Sequence, residues 1–153
     1  MKKYLPHGLA IYIAFVFIQS LFFKFSGSEE TVIIFASIGR WLAGLPVLHL
    51  LAEPFMLYGP WLIGSVELVA SVLILWPRKR LSGALLGAAV MSGAIFFHLA
   101  TPLGVNRVVD AAGNTDGGLL FIMACSVWLS CVVLIYLNRA GLGLHDSKRF
   151  PTL

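Results

Sequence analysis

The sequence predicts an all-α, membrane-spanning four-helix bundle with an additional outer interfacial helix. Three observations predict it. The chain of 153 residues is 59% hydrophobic and only 12% charged, about half the charge of a soluble domain. Four runs of roughly 17 to 21 residues are apolar enough to cross a bilayer. Basic residues fall mainly at alternate ends of those runs, as the positive-inside rule requires. With a mean hydropathy of +0.90, the chain needs no soluble core. The expectation is a single domain over residues 1–153, with spans near 8–25, 60–77, 81–100 and 117–137 and an outer segment at 28–58.

Met1-Lys2-Lys3 before an apolar run has the outline of a secretory signal. Leu9–Phe25 is too long and aromatic for that, and no A-x-A site follows, so it is expected to be the first span, with the N-terminus inside. Tyr12, Gln19 and Ser20 are its polar members, and Lys24 sits at its outer end.

Residues 26–59 test the topology. Thr31–Leu45 is apolar, but Arg40, Pro46 and His49 interrupt it. If this segment crossed, the cluster Arg78-Lys79-Arg80 would be thrown outside and the charge asymmetry would fail. A helix lying at the outer interface fits better. Ser28 is placed to cap it, and Glu29 and Glu30 complement the dipole of its first turn. Phe35, Ile38 and Leu42 recur on one face, while Glu30, Ser37 and Arg40 favour the other.

The second span runs from Pro60 to Trp76 and ends in the basic cluster. The third, Leu81–Ala100, carries Gly83, Ala84, Gly87, Ala88 and Ser92 at spacings that let helix backbones approach closely. Thr101–Asp116 is an outer loop bearing Arg107, Asp110, Asn114 and Asp116. The fourth span is Gly117–Leu137. Tyr4, Trp76 and Tyr136 mark the inner interface, and Tyr58 and Trp61 the outer one. Trp128 falls mid-span and is expected to pack inside the bundle. Lys2, Lys3, Arg78, Lys79, Arg80, Arg139, Lys148 and Arg149 all lie at ends assigned to the cytoplasm, with both termini there. The formal net charge of +4 thus reflects orientation in a lipid bilayer, not affinity for nucleic acid.

Ionisable groups inside the apolar layer are where function is sought, because a charge there costs about 2.5–3.5 kcal/mol on insertion scales and needs a partner. Glu67 lies about 10 Å below Pro60, sharing a face with Gly64 and Ser71. His98 is near the outer end of the third span, Lys24 closes the first, and Asp116 opens the fourth. All four spans bring an ionisable group to the outer half. Each has a plainer explanation: Lys24 as an interfacial anchor, His98 as a structural histidine, Asp116 as a helix cap, and Glu67 as half of a helix-joining pair with Lys24 or His98.

Other chemistries find no footing. One carboxylate and one imidazole on different helices do not make a metal site. A bis-histidine haem is set aside, because His98 is the one histidine within a span. Cys125 and Cys131, six residues apart on a helix, stand about 120° apart around its axis and form no disulfide with each other.

Four stretches carry a family resemblance: FKFSGSEETVIIFASIG (23–39), GSVELVASVLIL (64–75), GALLGAAVMSGAIFFHL (83–99) and DGGLLF (116–121). In this order they resemble the DoxX family of small bacterial membrane proteins, with Lys24-Phe25, Glu67, His98-Leu99 and Asp116-Gly117-Gly118 at motif positions. The resemblance implies a bacterial inner-membrane location. It also implies association with quinone-linked redox systems and a membrane or redox partner protein, or further copies of the chain. The outer segments at 40–58 and 101–115 are longer than the family's pattern. Two functions from different classes are therefore carried forward. One is a membrane subunit of a redox system in which Glu67 acts on a quinone, with His98 and Lys24 setting its protonation. The other is a non-catalytic scaffold or assembly factor whose polar cluster only joins helices. A permease is weaker, since four spans without repeats or broken helices offer little for alternating access.

Overall fold

The computed structural model describes residues 4–146, with side chains up to residue 139. Lys2, Lys3, Lys148 and Arg149, counted above as cytoplasmic charges, lie outside the described residues. Five α-helices form: α1 (Leu5–Ser26), α2 (Glu29–Ala43), α3 (Ala52–Leu75), α4 (Arg80–Ala100) and α5 (Leu119–Asp146). Four of these, α1, α3, α4 and α5, reach membrane-spanning length and apolarity, α3 together with the 3₁₀ turn His49–Leu51 that precedes it. Between 22% and 39% of each span's most apolar stretch is buried within the protein. The rest turns Ile11, Phe15, Phe22, Leu62, Val69, Leu85 and Ile122 outward, a surface that suits lipid and not water.

The four long helices run up, down, up, down. Each packs on the next, and α5 closes the ring against α1. The short helix α2 follows α1 immediately and lies chiefly against α3. One end of the bundle therefore carries α2 and the 101–118 loop, and the opposite end carries Arg78 and Lys79. The core is a stack of Ile13, Phe17, Ile74, Ala84, Val127, Cys131 and Leu134, at the axis where the four helices meet.

Local chemistry explains the joints. Gly27 adopts φ +64° and ends α1, its N–H bonded to the Phe23 carbonyl. Ser28 caps α2 by accepting the Thr31 N–H at 3.3 Å, as its sequence position indicates. Thr31 ties the two helices together by donating its hydroxyl to the Phe23 carbonyl at 3.1 Å. The face of Phe35, Ile38 and Leu42 is buried. A methyl added at Gly59 would meet the Phe35 ring at 2.6 Å, and one at Gly39 would run into the Met56 side chain. α2 is therefore seated on the first two turns of α3.

That contact corrects one boundary. The helix that carries the second span does not begin at Pro60: α3 starts at Ala52 and carries Pro60 within it. A proline costs a helix one internal hydrogen bond. Here the flanking turns are held by packing on Phe35 and by the stack of Trp61 on Phe25, whose ring centroids are 4.8 Å apart. The helix of the fourth span, α5, likewise extends past Leu137 to Asp146. Trp128 is half-buried, donating its indole N–H to Ser92 at 2.9 Å across the α4–α5 seam. Cys131 is buried in the core, and both cysteines are free.

The opposite end has its own device. Arg80, counted in the sequence among the charges of the cytoplasmic end, is 6% exposed, and its Nε donates to the Ile74 carbonyl at 3.0 Å. It satisfies one of the unpaired carbonyls at the end of α3, where a positive charge also complements the dipole.

The small residues of α4 act as their spacing indicates. A Cβ on Gly83 would stand 2.5 Å from the Ile74 nitrogen, and one on Gly87 3.1 Å from the Cys131 sulfur. Gly93 has nothing within 4 Å of that position. Gly83→Ala is expected to lower unfolding stability by about 1–3 kcal/mol by forcing α3 and α4 apart. Gly93→Ala should be neutral or slightly stabilising. Thermal unfolding in mild detergent checks the pair, and equal shifts in both would refute the close approach.

Candidate functional site

The polar groups singled out in the sequence converge on one cavity at the α2 end of the bundle. It measures about 390 Å³, and its walls are largely apolar: Val16, Phe17, Ile34, Ile38, Ile63, Val90, Met91 and Met123 among others. Lys24, Glu67, His98 and Asp116 all border it, together with Ser20, Glu30 and Thr31. A few polar groups set in apolar walls is the usual composition of a small-molecule site.

Glu67 is the deepest of these groups, 2% exposed in the middle of α3. Its Oε2 accepts from Lys24 Nζ at 2.8 Å and from the Ser20 hydroxyl at 2.8 Å. Lys24 also donates to Ser20 at 3.0 Å, which closes a three-membered network between α1 and α3. Ser20 lies six residues before the end of α1, about 9 Å along the axis, so Glu67 stands near the depth its sequence position indicates. Lys24 is the partner of Glu67, and His98 is not. The close approach of α1 and α3 here depends on Gly64, where a Cβ would meet the Phe25 ring at 2.6 Å. Ser71, one turn further along, turns its hydroxyl back onto the Glu67 carbonyl at 2.8 Å.

His98 is buried at the end of α4, edge-on to Phe121. Its Nδ1 lies 2.7 Å from the Gly104 carbonyl. A carbonyl only accepts, so Nδ1 carries a proton, and in the neutral ring Nε2 is the acceptor. Thr101 shapes this corner by donating to the Phe97 carbonyl at 2.6 Å and accepting the Leu103 N–H at 3.2 Å.

Asp116 does what a helix-capping aspartate does, and more. Its carboxylate accepts the N–H groups of Gly118 (3.0 Å), Leu120 (3.2 Å) and Arg107 (3.2 Å). Gly117 and Gly118 at φ +62° and +82° make the turn that aims those N–H groups back at it. Burial opposes ionisation of Asp116, but these three N–H groups and the Arg107 charge outweigh it and hold the carboxyl below its ordinary value.

Arg107 is the residue that sequence reasoning left in a solvent loop. It is 2% exposed. It is ion-paired with Glu30 of α2 and sits with Nε 3.7 Å from Asp116 Oδ2. Glu29, next to Glu30, accepts the Ala111 N–H at 2.6 Å. The two acids at the start of α2 thus fasten the 101–118 loop across the end of the cavity, beyond their expected role as dipole complements. Within the loop, Asp110 takes both the backbone and side-chain N–H of Asn114, and those bonds hold its carboxyl below the ordinary value. Among the described residues Arg107 Nε and Nη1 have no hydrogen-bond partner, a cost that only a firmly packed loop sustains.

Ser20 was recoverable from sequence, because it lies four residues before Lys24 on the same face of α1. Nothing in the local pattern around Arg107 announces a partner 77 residues earlier. Among the described residues no three His, Cys, Asp or Glu side chains come together as a metal site requires. No family model, characterised protein or solved structure matches the chain.

Two predictions concern the loop. Arg107→Ala leaves Glu30 and Asp116 without their counter-charge and is expected to cost about 3–5 kcal/mol, as broken buried pairs do. Limited proteolysis should then cut within 101–118 well before the wild type is touched, and unchanged cutting would show that the latch carries no stability. For Asp116 the folded pKa lies below the unfolded value. Its stabilisation is therefore complete above the unfolded pKa and fades as pH falls through the folded one. The gap in melting temperature between wild type and Asp116→Asn should be widest near pH 7 and shrink towards pH 3; a constant gap would refute the assignment.

Proposed function

We propose that this protein is a DoxX-like membrane subunit of a quinone-linked redox system, with the head of a quinone held in the cavity between Lys24–Glu67 and His98. The observation that carries the proposal is the placement of a buried carboxylate, its lysine partner and an imidazole on one apolar-walled cavity. The volume falls in the range of small-ligand sites, and the walls suit an apolar ring. Glu67, Lys24 and His98 would hold the polar edge of that ring. A quinone would supply two-electron, two-proton chemistry there. Glu67 would accept a proton, and Lys24 would hold its carboxylate in place.

Orientation belongs to the same proposal. Arg78, Lys79 and Arg139 lie at the end opposite α2, so the positive-inside rule turns the cavity towards the outer face of a bacterial inner membrane. A cavity near the headgroup level would lie close to the lipid phase, where a quinone resides.

A second function has its own support. The Lys24–Glu67–Ser20 network joins α1 to α3 whether or not a ligand is present. It suits a scaffold or assembly factor that presents a rigid bundle to a partner protein. Native mass spectrometry of the mildly solubilised protein, with lipid extraction of the same sample, separates the two. The redox proposal expects a co-purifying quinone that is lost in Glu67→Gln. A retained protein partner with no quinone, in both wild type and variant, would overturn it in favour of the scaffold.

A further inference from the structure

We infer that the cavity selects its ligand by hydrogen-bond polarity: it holds a head group that donates, and so binds the reduced, dihydroxy form of a quinone more tightly than the dione. The inference rests on the proposed quinone site and adds to it the redox state of the bound form.

Two acceptors facing the cavity carry the argument. Both hydrogen bonds to the Glu67 carboxylate, from Ser20 and Lys24, go to Oε2, and Oε1 receives none from the described residues. His98 directs its Nδ1–H to the Gly104 carbonyl, and Nε2, the acceptor of the neutral ring, receives no hydrogen bond from the described residues. Glu67 and His98 both line the cavity, so these two acceptors are the ones left to meet a ligand there.

The donors around the cavity are largely committed. Lys24 directs two of its three N–H groups to Glu67 and Ser20. The Ser20 proton is shared between the Phe17 carbonyl and Glu67, and the Thr31 hydroxyl goes to the Phe23 carbonyl. Gln19 stands at the exposed rim.

A ligand with two carbonyl oxygens brings acceptors to acceptors. It leaves Glu67 Oε1 and His98 Nε2 unpaired, along with its own lone pairs. A ligand with two hydroxyls gives each acceptor a proton to bind. Sites built to bond a hydroxyl discriminate strongly against analogues that lack one. A preference on the order of tenfold or more follows. Because the reduced form is favoured, the bound couple becomes more oxidising, by about 30 mV for each tenfold preference in a two-electron couple.

The test uses the full-length protein in nanodiscs. Its probes are a short-chain ubiquinone and the corresponding quinol kept anaerobic, with binding read by ligand-induced changes in intrinsic fluorescence and by equilibrium dialysis. The expected result is a quinol Kd at least about tenfold below that of the quinone. His98→Gln, whose amide oxygen still accepts, should keep a clear preference, and His98→Phe should lose most of it. Equal affinities, or tighter binding of the dione, would overturn the polarity inference while leaving a quinone site in place. Binding of neither form would overturn both the inference and the proposed function. A wild-type preference that survives unchanged in a folded His98→Phe protein would also overturn the role given to Nε2.

Discussion

A carboxylate set among helices of hydrocarbon length must find its counter-charge inside the protein, and the pairing of Glu67 with Lys24 is the constraint on which the α2 end of this bundle depends. Water is a poor partner at that depth, and lipid tails offer none. The lysine is placed near the end of α1, where its ammonium turns inward to reach both Ser20 and Glu67. For those bonds to be short, α1 and α3 must nearly touch, and Gly64 allows Phe25 and Leu21 to fill the space where a side chain would stand. The electrostatic demand and the small residue are one design. Removing either partner leaves a bare charge in a dry place, which costs far more than the pair itself contributes.

A second set of charges repeats the pattern at the rim. Glu30, Arg107 and Asp116 come from α2, the long loop and the start of α5, and they meet where no single element could position them. The loop is stitched from within by Asp110 and Asn114 and from without by Glu29. Between these two polar layers lies the cavity. Its walls are the apolar faces that the helices turn inward, and its polar groups are those the layers leave over.

Much of this was legible in the sequence, for physical reasons that differ from residue to residue. Span number and the existence of α2 follow from run length and from the interruptions at Arg40 and Pro46, because hydrocarbon tolerates so little else. Glu67 identified itself by cost, and the buried face of α2 by the spacing of Phe35, Ile38 and Leu42. The start of α3 was misplaced, because proline is expected at a first helical turn and Gly59-Pro60 imitates one. Only the packing of α2 on residues 52–59 carries the helix through that point. Arg107 was invisible as a buried residue, since its burial depends on two acids that sequence distance separates from it. Lys24 as the partner of Glu67, in place of His98, required the relative rotation of three helices, which no local pattern encodes.

Arg80 carries a consequence for how this chain's topology is probed. In the row Arg78-Lys79-Arg80, two side chains are exposed and free to act as charges at a membrane surface. The third is folded back to close the end of α3. Charge-reversal scans that treat the three alike would mix two effects: a shift in which side of the membrane the hairpin faces, and a loss of the hairpin itself. Reporter fusions made on Arg78 and Lys79 variants would read insertion alone. The same change at Arg80 would read folding, and a dual-topology signal from it would reflect a hairpin that never closed.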